Sequence, residues 1–276
     1  MIILDGKKVS NKKLLTLKEK VSKLNRKLGL AIIEIGDNKE SKIYINQKKK
    51  IALYLNYNCQ IFSFDEQTPE ENIINKIKEL NNDNNIDGII VELPIPKKYS
   101  QEKIINAIIA EKDIDCLTNK NIAKLNNNTP YLLPCTPKGI LDLLDYYKIT
   151  LKNKNITIIG KSILVGTPLY NILKNNNISV NLLDSKTENI TNYTLYSDII
   201  IIAIGKKQFL KNNMIKKDTI IIDVGINYYN GHIYGDVDYE SVKENVSYIT
   251  PVPGGVGPMT IYELMDNIYL THKKRK

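Results

Sequence analysis

The sequence predicts an α/β protein built on parallel sheets, and three observations carry that expectation. Short runs rich in β-branched residues alternate with longer segments whose apolar residues recur at helical spacing. Several of the runs are almost unbroken isoleucine, as suits strands buried on both faces. The length of 276 residues exceeds one small domain and suggests two.

In the first half, LGLAIIEIG (28–36), NCQIFSF (58–64) and DGIIVELP (87–94) read as strands. Between them, SKIYINQKKKIALYLN (41–56) and PEENIINKIKELNND (69–83) place apolar residues at helical intervals and predict helices. Residues 113–128, closing on an asparagine run, read as a connector. A second strand series follows in KNITIIG (154–160), ISVNLLD (178–184), SDIIIIAIG (197–205), DTIIIDVG (218–225) and VSYIT (246–250). The last segment, TIYELMDNIYLTHKK, has the amphipathic pattern of a helix that packs back on another domain. Asparagine-rich stretches at 81–85, 126–128 and 175–177 read as loops.

The net charge of +9 raises the question of nucleic acid, and the distribution answers against it. Arg26 and Arg275 are the only arginines, the lysines are strewn along the chain, and there is no tryptophan to interleave with them. The pattern is that of a solvated lysine surface. No apolar run approaches the ~18 residues of a membrane helix. The charged N-terminus MIILDGKKVSNKKLL does not read as a secretory signal. Cys59, Cys116 and Cys135 are odd in number and widely spaced, which argues against a disulfide framework or a paired-cysteine metal site. The expectation is a cytoplasmic protein with no membrane or nucleic-acid partner and no metal.

The second half opens on a phosphate-binding pattern. A strand ends at Gly160, the turn Gly160-Lys161-Ser162-Ile163-Leu164-Val165-Gly166 follows, and a helix pattern begins at Thr167-Pro168. Strand, tight turn and helix N-terminus together cradle a dinucleotide pyrophosphate, which predicts a Rossmann-like dinucleotide-binding domain. Ser162 stands where the usual second glycine of G-x-G-x-x-G would be. Asp184 ends the next strand 24 residues after Gly160, near the ~20-residue offset of an acid that meets the adenosine ribose. Gly205 and Gly225 close later strands at the carboxyl edge, where such sheets bind ligands.

Two further segments exceed structural punctuation: Thr250-Pro-Val-Pro-Gly-Gly-Val-Gly-Pro-Met-Thr260 and Asp87-Gly-Ile-Ile-Val-Glu-Leu-Pro-Ile-Pro96. With Tyr44-Ile-Asn-Gln-Lys48, Lys112-Asp-Ile-Asp115 and Leu133-Pro-Cys-Thr-Pro-Lys-Gly139 they fall in one order. In these blocks the chain resembles the bifunctional methylenetetrahydrofolate dehydrogenase/methenyltetrahydrofolate cyclohydrolase family, from about Leu30 to the C-terminal helix.

The resemblance implies oxidation of 5,10-methylenetetrahydrofolate by a nicotinamide cofactor, then hydrolysis of the methenyl product to 10-formyltetrahydrofolate. It implies an N-terminal folate and catalytic α/β domain over 1–120, a nucleotide domain over 121–255, and a C-terminal helix over 256–276 that closes on the first. The family's active cleft lies between the two domains. Lys48 matches the catalytic lysine, one helical turn from Tyr44, which matches the aromatic that stacks on the folate. A desolvated lysine can act as a base near neutral pH, whereas composition alone would read Lys48 as part of a solvated run with Lys49 and Lys50. Glu92 belongs to the catalytic set, and Asp115 aligns with the acid that holds the pterin. Pro253, Gly254 and Gly255 would complete the folate wall. Gly160, Lys161 and Ser162 would take the phosphate side, Ser185 would lie near the adenosine ribose, and Ile226 would meet the nicotinamide end through its backbone; Gly166, Asp184 and Gly205, from the turn and strand pattern above, join the cofactor-binding set. The family implies NADP and a homodimer.

Several positions depart from the family pattern. Glu92 replaces the usual Gln, and a carboxylate beside Lys48 would favour the ammonium form. The expected result is a weakened cyclohydrolase or one moved to higher pH, with hydride transfer intact. Asp184 replaces a usual His; an acid there would repel a 2′-phosphate and favour NAD, while Lys161 and Lys186 pull toward NADP. Cys116 replaces a glycine after Asp115, which removes a residue free to take positive φ. Ala123 replaces another glycine, and Lys207 a proline.

Overall fold

The computed structural model describes residues 1–275 as two compact units. The unit carrying the predicted dinucleotide turn, here the nucleotide unit, comprises Met1–Lys12 and Thr136–Thr260; the unit that the resemblance implies for folate, here the folate unit, comprises Lys13–Cys135 and Ile261–Lys276. Against 1–120, 121–255 and 256–276, residues 1–12 and 256–260 fall in the nucleotide unit and residues 121–135 in the folate unit. At the N-terminus the reason is strand pairing. Strand β1 (Ile2–Ile3) lies parallel to β11 (Val246–Ile249) at one edge of the nucleotide sheet. Helix α1 (Gly6–Val21) follows, with Asp5 accepting from Lys8 N at 2.8 Å as its cap.

The folate unit carries a three-stranded parallel sheet of β2 (Gly29–Ile35), β3 (Asn58–Phe64) and β4 (Gly88–Val91), in the order β3-β2-β4. The period-2 pattern of β2 explains its two covered faces. Ala31, Ile33 and Ile35 join Ile89 and Val91 against α3 (Glu70–Asn82) and α4 (Gln101–Asn106). Leu30 and Ile32 face the other way with Ile90, against α2 (Lys39–Tyr54) and the second half of α10 (Val256–Lys274). Ile261, Leu264, Met265 and Ile268 of that helix lie in this core.

Residues 113–128 are more than a connector, because they contain α5 (Asn119–Asn126). Asparagine has weak helix propensity, but Thr118 caps this helix and Leu125 is buried, so packing overrides composition. Two of the asparagine tracts, and the lone Asn56, instead end helices. Asn56 (φ 61°), Asn128 (φ 58°) and Asn177 (φ 57°) are left-handed residues just past α2, α5 and α7 (Gly166–Asn175). After each, the next N–H reaches back five residues into the helix: Tyr57 to Ala52, Thr129 to Lys124, and Ile178 to Leu173. This is the Schellman stop, with asparagine in the place glycine usually fills.

The nucleotide unit holds α6 (Cys135–Tyr146) from Thr136 onward, then β5 (Ile156–Ile159), α7, β6 (Val180–Leu183), α8 (Thr191–Thr194), β7 (Ile199–Ile202) and β8 (Thr219–Asp223). A hairpin of β9 (Asn227–Tyr229) and β10 (His232–Tyr234) follows, then α9 (Tyr239–Val242) and β11. The six-stranded sheet is parallel throughout, in the order β1-β11-β8-β7-β5-β6. Consecutive isoleucines on β7 serve opposite faces: Ile199 and Ile201 enter one core, Ile200 and Ile202 the other. Burial on both faces is why the run shows no polar alternation. From β5 the chain steps one way to β6 and the other way to β7, so the topological switch point lies between β5 and β7.

Candidate active site

Helical phase selects Lys48 from its run of lysines. Ser41, Ile45 and Ala52 are the buried residues of α2, and Lys48 falls on their face while Lys49 and Lys50 point to solvent. The Lys48 side chain is 14% exposed, and its Nζ donates to Glu92 Oε2 at 2.6 Å, the carboxylate being 6% exposed. Burial pushes the Glu92 carboxyl up from its ordinary value, with Lys48 pulling it back. Tyr44 is half-buried one turn earlier on α2.

The two aspartates of Asp113-Ile114-Asp115 have separate fates. Asp113 accepts from Leu117 N, Thr118 N, Thr118 Oγ1 and Asn121 Nδ2 at 2.8 to 3.1 Å, so it is spent on building the start of α5. Asp115 is half-buried, and burial raises its carboxyl while the nearby Lys48 charge opposes the rise. Cys116 takes φ 61° and so makes the left-handed turn that a glycine would make.

The sequence reading missed Glu34. On β2 it continues the face of Leu30 and Ile32, and register sets it beside Glu92, whose N–H donates to Ile33 O at 2.9 Å. Glu34 is 9% exposed; Oε2 accepts from Ser63 Oγ, and Oε1 has no hydrogen-bond partner among the described residues. The signal was a single acid inside LGLAIIEIG, where an apolar residue is expected on that face.

In the nucleotide unit, Gly160 has φ 113°, and a Cβ there would stand 2.2 Å from Ala203 O. The turns after β5 and β7 therefore touch at the switch point. A Cβ on Gly166 would meet Gly160 O at 1.7 Å, so these two glycines give the turn its closeness. Ser162, in place of the middle glycine, accepts from Val165 N at 3.2 Å just before α7. Lys161 and Ser185 are exposed. Asp184 Oδ1 accepts from Lys186 N at 2.9 Å and forms the turn after β6. Ile226 is half-buried after Gly225. A glycine turn at a switch point, leading into the N-terminus of a ten-residue helix, fits a dinucleotide.

Pro253, Gly254 and Gly255 belong to the nucleotide unit, whereas Tyr44, Lys48, Glu92 and Asp115 belong to the folate unit. Within the folate unit, Lys48 is brought to Glu92 and feels Asp115. Among the described residues, no group of three or more His, Cys, Asp or Glu side chains is placed to hold a metal, and no helix is long and apolar enough to cross a membrane.

The tetrahydrofolate dehydrogenase/cyclohydrolase catalytic domain matches residues 4–115, and the NAD(P)-binding domain of the same family matches residues 134–276. The chain belongs to the tetrahydrofolate dehydrogenase/cyclohydrolase family. It is 44% identical to the bifunctional protein FolD of Mesoplasma florum over 280 residues, 99% of this chain and 98% of that protein. The crystal structure of the bifunctional FolD enzyme of Campylobacter jejuni superposes with a TM-score of 0.96 at 38% identity, covering 100% of both chains. FolD of Trypanosoma brucei, solved with NADP and an inhibitor, gives a TM-score of 0.95 at 27% identity over 100% of this chain and 98% of that one. As a member of this tetrahydrofolate dehydrogenase/cyclohydrolase family, the chain takes an NAD(P) cofactor in its second domain.

Proposed function

We infer that this chain oxidises 5,10-methylenetetrahydrofolate to the 5,10-methenyl form with NAD(P), and hydrolyses the methenyl form to 10-formyltetrahydrofolate, as a bifunctional enzyme of one-carbon metabolism. The observation that carries the reading is likeness to bifunctional relatives along 99% of the chain. The buried Lys48–Glu92 pair supports it.

The nicotinamide ring, when bound, supplies the hydride acceptor. Folate's own nitrogen lone pair expels the hydride, so this step asks the protein for positioning rather than a strong base. We assign that positioning to Tyr44, which presents its ring to the folate, and to Asp115, whose carboxyl receives pterin N–H donors; Pro253, Gly254 and Gly255 complete the binding set. Hydrolysis needs a proton taken from water and one delivered to the departing nitrogen. Lys48 Nζ is the group we assign to that transfer, with Glu92 setting its orientation and charge. Gly160, Lys161, Ser162 and Gly166 would hold the phosphates, Asp184 and Ser185 the ribose, and Gly205 and Ile226 the nicotinamide side.

The same reading takes NADP as the family's usual cofactor, with NAD open because Asp184 is acidic. It takes the enzyme to be a homodimer, after its family, and cytoplasmic, in keeping with three free cysteines. Incubation with methylenetetrahydrofolate and either cofactor tests it. Reduced cofactor followed by decay of the methenyl absorbance is the expected result. Reduced cofactor with a lasting methenyl signal would leave a dehydrogenase alone, and no reduction with either cofactor would defeat the proposal.

A further inference from the structure

Two buried carboxylates of the nucleotide unit take no part in the folate chemistry. Asp223 ends β8 and is 3% exposed; Asp236, between β10 and α9, is 0% exposed. Asp236 Oδ2 accepts from Ile204 N at 2.6 Å and Gly205 N at 3.1 Å, and Oδ1 accepts from Lys206 N at 2.8 Å and Asn227 Nδ2 at 3.0 Å. One carboxylate thus takes three consecutive N–H groups of the turn after β7 and ties them to the residue that follows Ile226.

Asp223 secures Asp236 in turn. Its Oδ1 accepts from Asp236 N and Gly225 N, both at 3.0 Å, and its Oδ2 accepts from Val237 N at 2.9 Å. The glycines beside these acids are there to admit them. A Cβ on Gly225 would lie 2.1 Å from the Asp236 carboxyl carbon, and one on Gly235 would lie 1.8 Å from Asp223 Oδ2. Gly225 is therefore a glycine because a carboxylate packs on it. At Gly205, by contrast, the φ is 63° and nothing lies within 4 Å of where a Cβ would be.

The held turn is the one whose Ala203 carbonyl abuts Gly160 at the switch point, so Asp236 shapes one wall of that crevice. We propose that Asp236 is a positioning residue for the nicotinamide dinucleotide, presetting the Ile204–Lys206 turn and Asn227 before the cofactor arrives. Because the N–H groups of the turn are spent on Asp236, Gly205 meets the cofactor through its bare Cα side and not as an N–H donor. Preset loops avoid an ordering cost on binding, and hydrogen bonds to an ionised acceptor are the strong ones. The proposal rests on the reading that this unit takes a nicotinamide dinucleotide.

Asp236→Asn tests it on the full chain. The amide keeps the shape but sets an NH₂ where one carboxylate oxygen accepted two donors. The dissociation constants of NADP and NAD, by titration calorimetry, should rise about tenfold, the equivalent of one lost charge-assisted hydrogen bond. Amide hydrogen exchange at Ile204, Gly205 and Lys206 should accelerate, while kcat/KM for methenyl hydrolysis, measured without cofactor, stays within about twofold. Asn227→Ala, which removes only one donor and leaves the turn held, should weaken binding less. Unchanged dinucleotide affinity in Asp236→Asn would overturn the proposal whatever happens to the melting temperature. So would a loss of hydrolysis in step with dehydrogenation, since that marks general destabilisation. If the unsubstituted chain binds neither dinucleotide, the functional reading itself fails, which is a different outcome.

Discussion

Replacing Glu92 with Gln separates two accounts of the Lys48 site. At 2.6 Å, with an effective dielectric constant of about 20, the pair attracts by roughly 6 kcal/mol before the cost of desolvating both groups. The lysine has little water to replace that partner, since its side chain is only 14% exposed. A neutral amide keeps a hydrogen-bond acceptor and removes the charge that favours the ammonium. If Glu92 is ionised in the working enzyme, the pH at which methenyl hydrolysis reaches half its plateau should fall by about 1–3 units in Glu92→Gln. The rate at pH 7 should then rise at least about tenfold, on the limb where free base is limiting. Methenyl decay followed from about pH 6 to about pH 10, up to the ordinary lysine range, measures this, and dehydrogenase kcat should stay within about twofold because that step uses no base. An unchanged half-rate pH, with no gain at neutral pH, would refute the argument. It would mean that burial keeps Glu92 protonated, so that it already behaves as the glutamine usual in the family.

Lys48→Met should lower methenyl hydrolysis by about 10²–10⁴-fold while leaving cofactor reduction measurable, in parallel assays of the two activities. Asp184→Ala, assayed as kcat/KM with each cofactor, should move preference toward NADP by removing an acid that would repel a 2′-phosphate; an unchanged ratio would confine Asp184 to its turn. Asn177→Ala should cost about 1 kcal/mol in urea denaturation, since alanine is strained at the φ of 57° that ends α7, and Asn177→Gly should be neutral or stabilising. Asp223 gives a pH dependence. Burial pushes its carboxyl up to about 7 against three N–H donors, so the folded protein binds this proton more tightly than the unfolded chain. Its contribution to stability is greatest below about pH 4 and is lost as pH rises through about 7, by at most roughly 4 kcal/mol. Denaturation at pH 5 and pH 8 should show this decline, and Asp223→Asn should flatten it.

Every long strand was legible because its cause is local. The apolar run of β2, the isoleucine run of β7 and the glycine turn at Gly160 each follow from a few neighbouring residues. The terminal pieces and short elements were less legible. Two residues of β1 exist as a strand because β11 is there to pair with them, and α5 overrides its asparagine content by burying Leu125. The hairpin of β9 and β10 is anchored by Asn227, which donates to Tyr234 O within it and to Asp236 just beyond it.

The chemistry-bearing residues divide the same way. Their types and their order were present in the chain itself: a lysine one turn from a tyrosine, an acid after a strand, glycines before a helix. Tertiary structure alone decided which of three consecutive lysines is buried, which of two aspartates is spent on a helix cap, and that Glu34 stands beside Glu92. It also decided that Gly225 accommodates Asp236, eleven residues away in sequence. The physical reason is that desolvation and carboxylate hydrogen bonding are set by whatever the fold brings within a few ångströms. Lys48 and Glu92 are 44 residues apart, and only the packing of α2 on the ends of β2 and β4 makes them one ion pair.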